Sequence, residues 1–235
     1  MSEYCNICRL AGIRPFPVMG YLGAAAICIT QVVAPRQTAT WPFIVLVLFA
    51  LLTAAFALLW TSDLKEYLGS VSATVFGVLY VALTFSWLIP LRFSDPARGH
   101  KLILFLFLVI WAGDICAYFI GKTLGRHLLF PRVSPKKTVE GAIGGLLGSL
   151  LVGWAFAQWF WQTVDTKTII LLAGLIAVAG QVGDLVESAL KRSAGLKDSG
   201  SLVPGHGGIL DRIDALLFGT AALWLARLFH GWGGL

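Results

Sequence analysis

The chain has 235 residues, a net charge of +6 at pH 7, 57% hydrophobic residues and only 13% charged ones. A soluble domain averages roughly 25% charged residues, and the mean hydropathy here is +0.81. This composition excludes a soluble globular enzyme, a disordered chain and a disulfide scaffold, and the scattered positive charge argues against nucleic acid as a partner. Because the apolar stretches are continuous rather than alternating, we predict an all-α polytopic integral membrane protein.

Seven apolar segments are predicted to cross the membrane, because a bilayer core of about 30 Å needs roughly 20 helical residues. In chain order they cover residues 17–34, 41–60, 68–91, 102–120, 139–161, 168–190 and 208–229. The residues before the first segment are predicted to be a short polar lead. We expect one membrane domain over 1–235, in which N-terminal spans (1–100) precede a catalytic region (110–230).

Most of the Lys and Arg residues flank the side of the membrane that holds the N-terminus and the loops 61–67, 121–138 and 191–207. The positive-inside rule makes this side cytoplasmic. We therefore expect a protein of the bacterial cytoplasmic (inner) membrane with its active site facing the cytoplasm.

Cys5 and Cys8 form a lone C-x-x-C motif near the N-terminus. A structural zinc site needs about four ligands, and no second cysteine pair is present. A structural role is therefore the favoured interpretation, with metal or redox chemistry as the alternative.

Acidic residues gather in and beside the last four predicted spans, where a carboxylate near the bilayer centre costs about 2.5–3.5 kcal/mol. They are Asp114, Glu140, Asp184, Glu187, Asp198, Asp211 and Asp214. Because residues this costly indicate function, we predict a polar site in the cytoplasmic half of the membrane. For any single member, pairing with a nearby Lys or Arg at a helix end is the alternative.

Helical spacing brings Asp184, Glu187 and Ser188 onto one helix face, and Asp211 and Asp214 onto another. Two helix ends that carry carboxylates and are joined by one loop can converge on a hard cation. Mg²⁺ prefers oxygen ligands, typically one or two carboxylates together with phosphate and water. We predict Asp184 and Asp211 as its direct ligands.

Residues 188–214 combine carboxylates, basic side chains, a histidine and several glycines. Glycines let backbone N–H groups approach a phosphate closely, and Lys and Arg neutralise its oxygens. The combination is typical of phosphoryl or nucleotidyl transfer, although no Walker loop occurs. His206 is a candidate for phosphate contact, for acid–base catalysis or for a turn.

A second basic motif, Ser-Pro-Lys-Lys-Thr-Val-Glu-Gly, occupies residues 134–141 and leads into the fifth predicted span. It either anchors that span at the membrane surface or clamps an anionic head group or a triphosphate. The glycines that follow form a small-residue face for close helix packing: Gly141, Gly144, Gly145 and Gly148.

Residues 188–214 resemble the signature of the phosphatidate cytidylyltransferases, also called CDP-diacylglycerol synthases. The matching residues are Ser188, Leu190, Lys191, Arg192, Lys197, Asp198, His206, Gly207, Gly208, Asp211, Arg212, Ile213 and Asp214. Two shorter motifs, at 114–125 and 134–141, resemble further elements of that family, whereas the first hundred residues are similar only in general character.

The resemblance implies a reaction of CTP with phosphatidate that gives CDP-diacylglycerol and pyrophosphate, with Mg²⁺ as cofactor, and it implies a homodimer. The family's metal-binding carboxylates match Asp184 and Asp211. Predicted catalytic residues are Lys197, Asp198, His206, Arg212 and Asp214. Predicted substrate-binding residues are Asp114, Lys122, Lys136, Lys137, Ser188, Lys191 and Arg192.

Two other functions compete with this one. The first is a CTP-dependent enzyme acting on another lipid, either a polyprenol kinase or an archaeal-type CDP-lipid synthase. The second is a cation-coupled transporter that uses Asp114 and Asp184. Transport predicts acids near the midplane and an internal repeat, and the sequence shows neither feature.

Overall fold

The computed structural model of the chain describes residues 1–33, 40–93, 95–200 and 207–229. These ranges are mostly helical, which confirms the predicted all-α class. The helices are α1 (Ser2–Leu10), α2 (Pro17–Val33), α3 (Thr40–Trp60), α4 (Leu64–Gly77), a π-helical segment (Val78–Leu83), α5 (Thr84–Ser86), α6 (Leu88–Phe93), α7 (Gly99–Leu124), α8 (Val139–Trp159), α9 (Thr166–Ser193) and α10 (Leu210–Phe229). An antiparallel hairpin of β1 (Leu128–Phe130) and β2 (Ser134–Thr138) joins α7 to α8.

Five segments of the described chain are long and apolar enough to cross a membrane. They are Thr40–Trp60, Leu64–Phe93, Gly99–Leu124, Val139–Trp159 and Thr166–Ser193. The first predicted span corresponds to the shorter apolar helix α2, with 17 residues. The last corresponds to α10, which carries acidic and basic residues in its first turn. The polytopic architecture is therefore confirmed, and the count of seven spans stays a prediction.

The residues predicted as a polar lead form a helix, α1, that is buried along one face. Tyr4, Cys5, Ile7 and Cys8 are all buried, and the Tyr4 hydroxyl donates a hydrogen bond to the Ala73 carbonyl at 2.8 Å. Burial raises the pKa of the Cys5 and Cys8 thiols. Because metal binding and redox chemistry need a thiolate, these two cysteines fit the structural interpretation.

The chain divides into two compact units that interleave along the sequence. The first contains residues 1–94 and 190–212, and the second contains residues 95–189 and 213–235. Each unit therefore includes part of the predicted catalytic region.

In the second unit, α7 and α8 pack with their backbones in contact, which confirms the predicted packing role of the α8 glycines. A Cβ added at Gly145 would lie 2.8 Å from the Gly113 carbonyl oxygen, and one added at Gly141 would lie 2.9 Å from that of Ala117. Added carbons at Gly144 and Gly148 would likewise meet side chains of α7. Small residues are the usual means of such close approach within a membrane.

Gly145→Ala is expected to destabilise the fold by roughly 1–3 kcal/mol, because overpacking against backbone cannot be relieved by a rotamer change. Thermal unfolding in detergent, followed by circular dichroism, measures the effect. Gly69→Ala is the matched control, since its added carbon would meet nothing closer than 3.8 Å and alanine favours a helix. Equal midpoints for the two variants would contradict the packing role of Gly145.

Candidate active site

The β1–β2 hairpin is fixed to the start of α8 by two polar side chains. The Glu140 carboxylate accepts hydrogen bonds from the backbone N–H groups of Arg126 (3.0 Å) and His127 (3.2 Å), and it contacts His127 Nδ1 at 2.6 Å. The Thr138 hydroxyl caps α8 by accepting from the Gly141 N–H at 3.1 Å. These bonds fix the position of strand β2, which carries the two lysines of the second basic motif.

Beside this hairpin, the second unit contains a cavity of about 510 Å³. Its walls come from the C-terminal half of α7, the hairpin, the start of α8 and α9. The charged residues that line it are Asp114, Lys122, Lys136, Lys137 and Asp184. All five belong to the predicted site, and the structure brings them together although up to 70 residues separate them in sequence. The remaining lining is small, aromatic or neutral, including Ala117, Tyr118, Leu129 and Gln181.

The Lys137 ammonium forms an ion pair with the Asp184 carboxylate inside this cavity, and each side chain is about one-third exposed. The Ser188 hydroxyl lies 3.5 Å from Asp184 Oδ1 and donates to it, as the shared helix face predicts. Asp114 and Asp214 interact electrostatically with the same aspartate and lysine. Three carboxylates therefore lie within electrostatic range of the Lys137 ammonium group.

A close contact between α9 and α10 in the second unit brings Asp184 and Asp214 near each other. A Cβ added at Gly183 would lie 2.6 Å from the Asp214 carbonyl oxygen. Glycine at this position therefore lets the two carboxylate-bearing helices touch through their backbones.

A second charged cluster lies in the first unit, around Asp211. Lys191 Nζ is 2.6 Å from Asp211 Oδ1, with the two side chains 12% and 14% exposed. Asp211 Oδ2 accepts hydrogen bonds from the backbone N–H groups of Ser199 (2.9 Å) and Gly208 (2.8 Å) and from the Ser199 hydroxyl (2.9 Å). This carboxylate is thus held in place from several directions at once.

The chain reaches this cluster through a Schellman turn at the end of α9. The Leu196 N–H donates to the Lys191 carbonyl (2.9 Å), and the Gly195 N–H donates to that of Arg192 (3.1 Å). Gly195 has φ +69°, which favours glycine. Arg192 Nη1 donates to the Leu196 carbonyl at 2.9 Å, so this predicted substrate-binding residue also holds the turn.

Three of the other predicted site residues, Lys197, Asp198 and Arg212, are exposed in the first unit. Lys122 Nζ lies 5.7 Å from the centre of the Tyr118 ring. His206 lies outside the described residues. The individual roles assigned to the site residues stay predictions.

Within the described ranges, no group of three or more His, Cys, Asp or Glu side chains is arranged to hold a metal ion. Mg²⁺ often takes only one or two protein carboxylates and completes its shell with phosphate and water. Asp184 and Asp211 supply hard oxygens of this kind, and each is paired with a lysine. Their donor chemistry fits Mg²⁺, and the assignment stays a prediction.

Sequence reasoning missed several residues that build the two clusters. The Ser199 hydroxyl donates a hydrogen bond to Asp211, and Glu3 accepts hydrogen bonds from Ser199 and Ile209. Thr138 and Gln181 line the cavity. The Thr138-to-Gly141 spacing is a recognisable helix-start signal for Thr138. Local spacing contains no signal for Glu3, because its partners are about 200 residues away in sequence.

The fold and the cavity define a polytopic membrane protein whose paired lysines and aspartates suit phosphate-bearing substrates. The chain belongs to the cytidylyltransferase family, whose profile matches residues 1–229. It is therefore a nucleotidyltransferase. The match includes the first hundred residues, which by sequence motifs resemble the family only in general character.

Several similar proteins are named phosphatidate cytidylyltransferase. The chain is 36% identical over 209 residues to the phosphatidate cytidylyltransferase of Staphylococcus saprophyticus, an alignment that covers 88% of this chain and 78% of the relative. The phosphatidate cytidylyltransferase of Staphylococcus haemolyticus is 37% identical with the same coverage. That of Bacillus subtilis is 44% identical over 140 residues, or 60% of this chain and 52% of the relative.

Proposed function

We propose that this protein transfers the cytidylyl group of CTP to phosphatidate, forming CDP-diacylglycerol and pyrophosphate. The observation that carries the proposal is the cavity in which Lys122, Lys136 and Lys137 accompany Asp114 and Asp184. The lysines suit the phosphates of both substrates, and the uncharged remainder of the lining, which includes Ala117, Tyr118 and Leu129, suits a lipid acceptor. Family membership and the names of the relatives agree with this reaction.

In the reaction, an oxygen of the phosphatidate phosphate forms a bond to the α-phosphorus of CTP. The bond between that phosphorus and the α–β bridging oxygen breaks, and pyrophosphate leaves with the bonding electrons. A phosphomonoester has a second pKa near 6, so the attacking group is already anionic at pH 7 and needs no general base. The enzyme's contribution is to position the substrates and to neutralise charge.

The side chains take distinct parts in this proposal. Lys136 and Lys137 hold phosphate oxygens on the hairpin side of the cavity, and Lys122 does so from α7. Lys191 and Arg192, with Lys197 and Arg212, neutralise the departing pyrophosphate. Asp184 and Asp211 would hold Mg²⁺, which neutralises phosphate charge and orients the triphosphate when bound.

The direct test incubates the purified protein with labelled CTP, phosphatidate and Mg²⁺ and separates the lipid products by chromatography. We expect a labelled CDP-lipid, loss of the product on chelation and its return with added Mg²⁺. A panel of other lipid phosphates and polyprenols serves as control. A phosphorylated polyprenol with release of CDP, or absence of any CDP-lipid, would contradict the proposal.

We also propose that the protein resides in the bacterial cytoplasmic membrane with this site on the cytoplasmic side, as the distribution of Lys and Arg favours. Labelling of single introduced cysteines between α7 and α8, at residues 125–133, and at residue 165, in intact cells, tests the orientation. The homodimer implied by the family resemblance is a further proposal, tested by light scattering of the detergent-solubilised protein.

A further inference from the structure

Glu3, in the first turn of α1, is a buried carboxylate with partners far along the chain. Only 9% of the residue is exposed. Its oxygens accept hydrogen bonds from the backbone N–H groups of Ile209 (2.9 Å) and Leu210 (2.7 Å) and lie 3.2 Å from the Ser199 hydroxyl. All of these residues belong to the first unit.

These partners show that Glu3 caps helix α10. The first N–H groups of a helix have no partner within it and usually bond to a polar side chain at the cap position. The residues before α10 are Gly207, Gly208 and Ile209, whose side chains carry no acceptor. The acceptor comes instead from α1, and its negative charge is also favourable at the positive end of the helix dipole.

Ser199 links this cap to Asp211. Its hydroxyl oxygen lies 2.9 Å from Asp211 Oδ2 and 3.2 Å from Glu3 Oε2, so one hydroxyl group lies within hydrogen-bond distance of both carboxylates. The Ser199 N–H also donates to Asp211. A displacement of Glu3 therefore reaches Asp211 by two routes: through Ser199, and through the first turn of α10, in which Asp211 itself lies.

We propose that Glu3 is a positioning residue for the cytidylyl transfer, and this inference rests on the proposed function. By holding the start of α10 and Ser199, it fixes the place of Asp211 and thereby of the paired Lys191 ammonium. Glu3 has no direct contact with substrate in this role. It acts by holding the Lys191–Asp211 pair in position, because small displacements of groups at an active site have large effects on the rate.

The test compares Glu3→Gln with Glu66→Gln, a matched control at an exposed glutamate of α4 that pairs with Arg14. Hydrogen–deuterium exchange of residues 207–213 reports the cap directly, with residues 140–157 as internal reference. Steady-state kinetics reports the consequence for catalysis. For Glu3→Gln we expect faster exchange at residues 207–213. We also expect a kcat lower by about tenfold or more, an unchanged KM for phosphatidate, and a higher Mg²⁺ concentration at the half-maximal rate. Glu66→Gln is expected to change none of these.

Ser199→Ala keeps the proposal testable if Glu3→Gln does not fold. This variant retains the cap on Ile209 and Leu210 and removes the hydroxyl that links it to Asp211, so exchange there should stay slow while kcat falls and the Mg²⁺ requirement rises. Unchanged kinetics in Ser199→Ala would overturn the link between the cap and Asp211. Faster exchange in Glu3→Gln with unchanged kinetics would make Glu3 a structural cap only and would overturn the inference. Unchanged exchange in Glu3→Gln would refute the cap itself. Failure of the wild-type protein to form any CDP-lipid would instead refute the proposed function.

Discussion

Asp184→Asn is expected to lower the turnover number by at least about 100-fold, a loss typical of removing one preorganised charge from a site of charge development. Asp184 lies in the cavity, pairs with Lys137 and interacts electrostatically with Asp114 and Asp214. Because its side chain is about one-third exposed, the cost to stability should stay within about 1 kcal/mol. Initial rates of CDP-lipid formation and thermal unfolding in detergent measure the two effects separately.

Asp63→Asn is the matched control for this variant. Asp63 caps α4 by accepting from the Lys65 N–H at 2.9 Å, and asparagine caps a helix equally well. Asp63→Asn should therefore leave both the rate of CDP-lipid formation and the thermal stability near those of the wild type. Near-normal activity of Asp184→Asn at saturating Mg²⁺ would contradict the role proposed for Asp184.

Asp211→Asn is expected to abolish detectable turnover and also to destabilise the protein by about 3 kcal/mol, as breaking a largely buried ion pair does. The change leaves the Lys191 ammonium without its 2.6 Å carboxylate contact to Oδ1. It also replaces one of two acceptor oxygens by an amide nitrogen, in a place where Oδ2 accepts from the Ser199 and Gly208 N–H groups. The measurements are CDP-lipid formation and the unfolding midpoint, each with and without CTP and Mg²⁺.

The double variant Lys191→Met, Asp211→Leu separates the two effects of this substitution. Replacing both partners of a buried pair with apolar side chains often restores stability, so its unfolding midpoint should recover at least in part. Its activity should remain absent, because the charges proposed to act on phosphate are gone. Recovery of activity together with stability would show that Asp211 is needed only for folding.

The membrane helices were the most predictable part of this fold, because uninterrupted apolar runs have few alternatives in a bilayer. The helix α1 was not predicted: it has only nine residues and a polar composition, and its stability comes from contacts such as that of Tyr4 with Ala73. The hairpin was also missed, since Ser134–Thr138 contains proline and two lysines, which are poor strand formers.

At the site, it was easier to predict which residues are functional than to predict which of them pair with each other. The 188–214 signature predicted Lys191 and Asp211, the basic motif at 134–141 predicted Lys137, and intramembrane charge with helical spacing predicted Asp184. The structure places each of them in a charged cluster. Which lysine pairs with which aspartate depends on tertiary contacts between residues that are 20 or more positions apart, and helical periodicity does not extend that far. Glu3 is the extreme case, since its contacts with residues 199–210 have no counterpart in any local pattern.

The glycine-mediated contact of α7 with α8 bears on which acceptors the enzyme tolerates. Two walls of the cavity are formed there by Ala117, Gly121, Gly141 and Ala142, and a Cβ added at Gly141 would lie 3.1 Å from the Gly121 Cα. Main chain cannot adapt to a bulkier head group by changing rotamers, so this boundary is sterically fixed. We expect differences in acceptor range among related enzymes to arise instead from the hairpin boundary, where the side chains of Leu129 and Lys136 line the cavity.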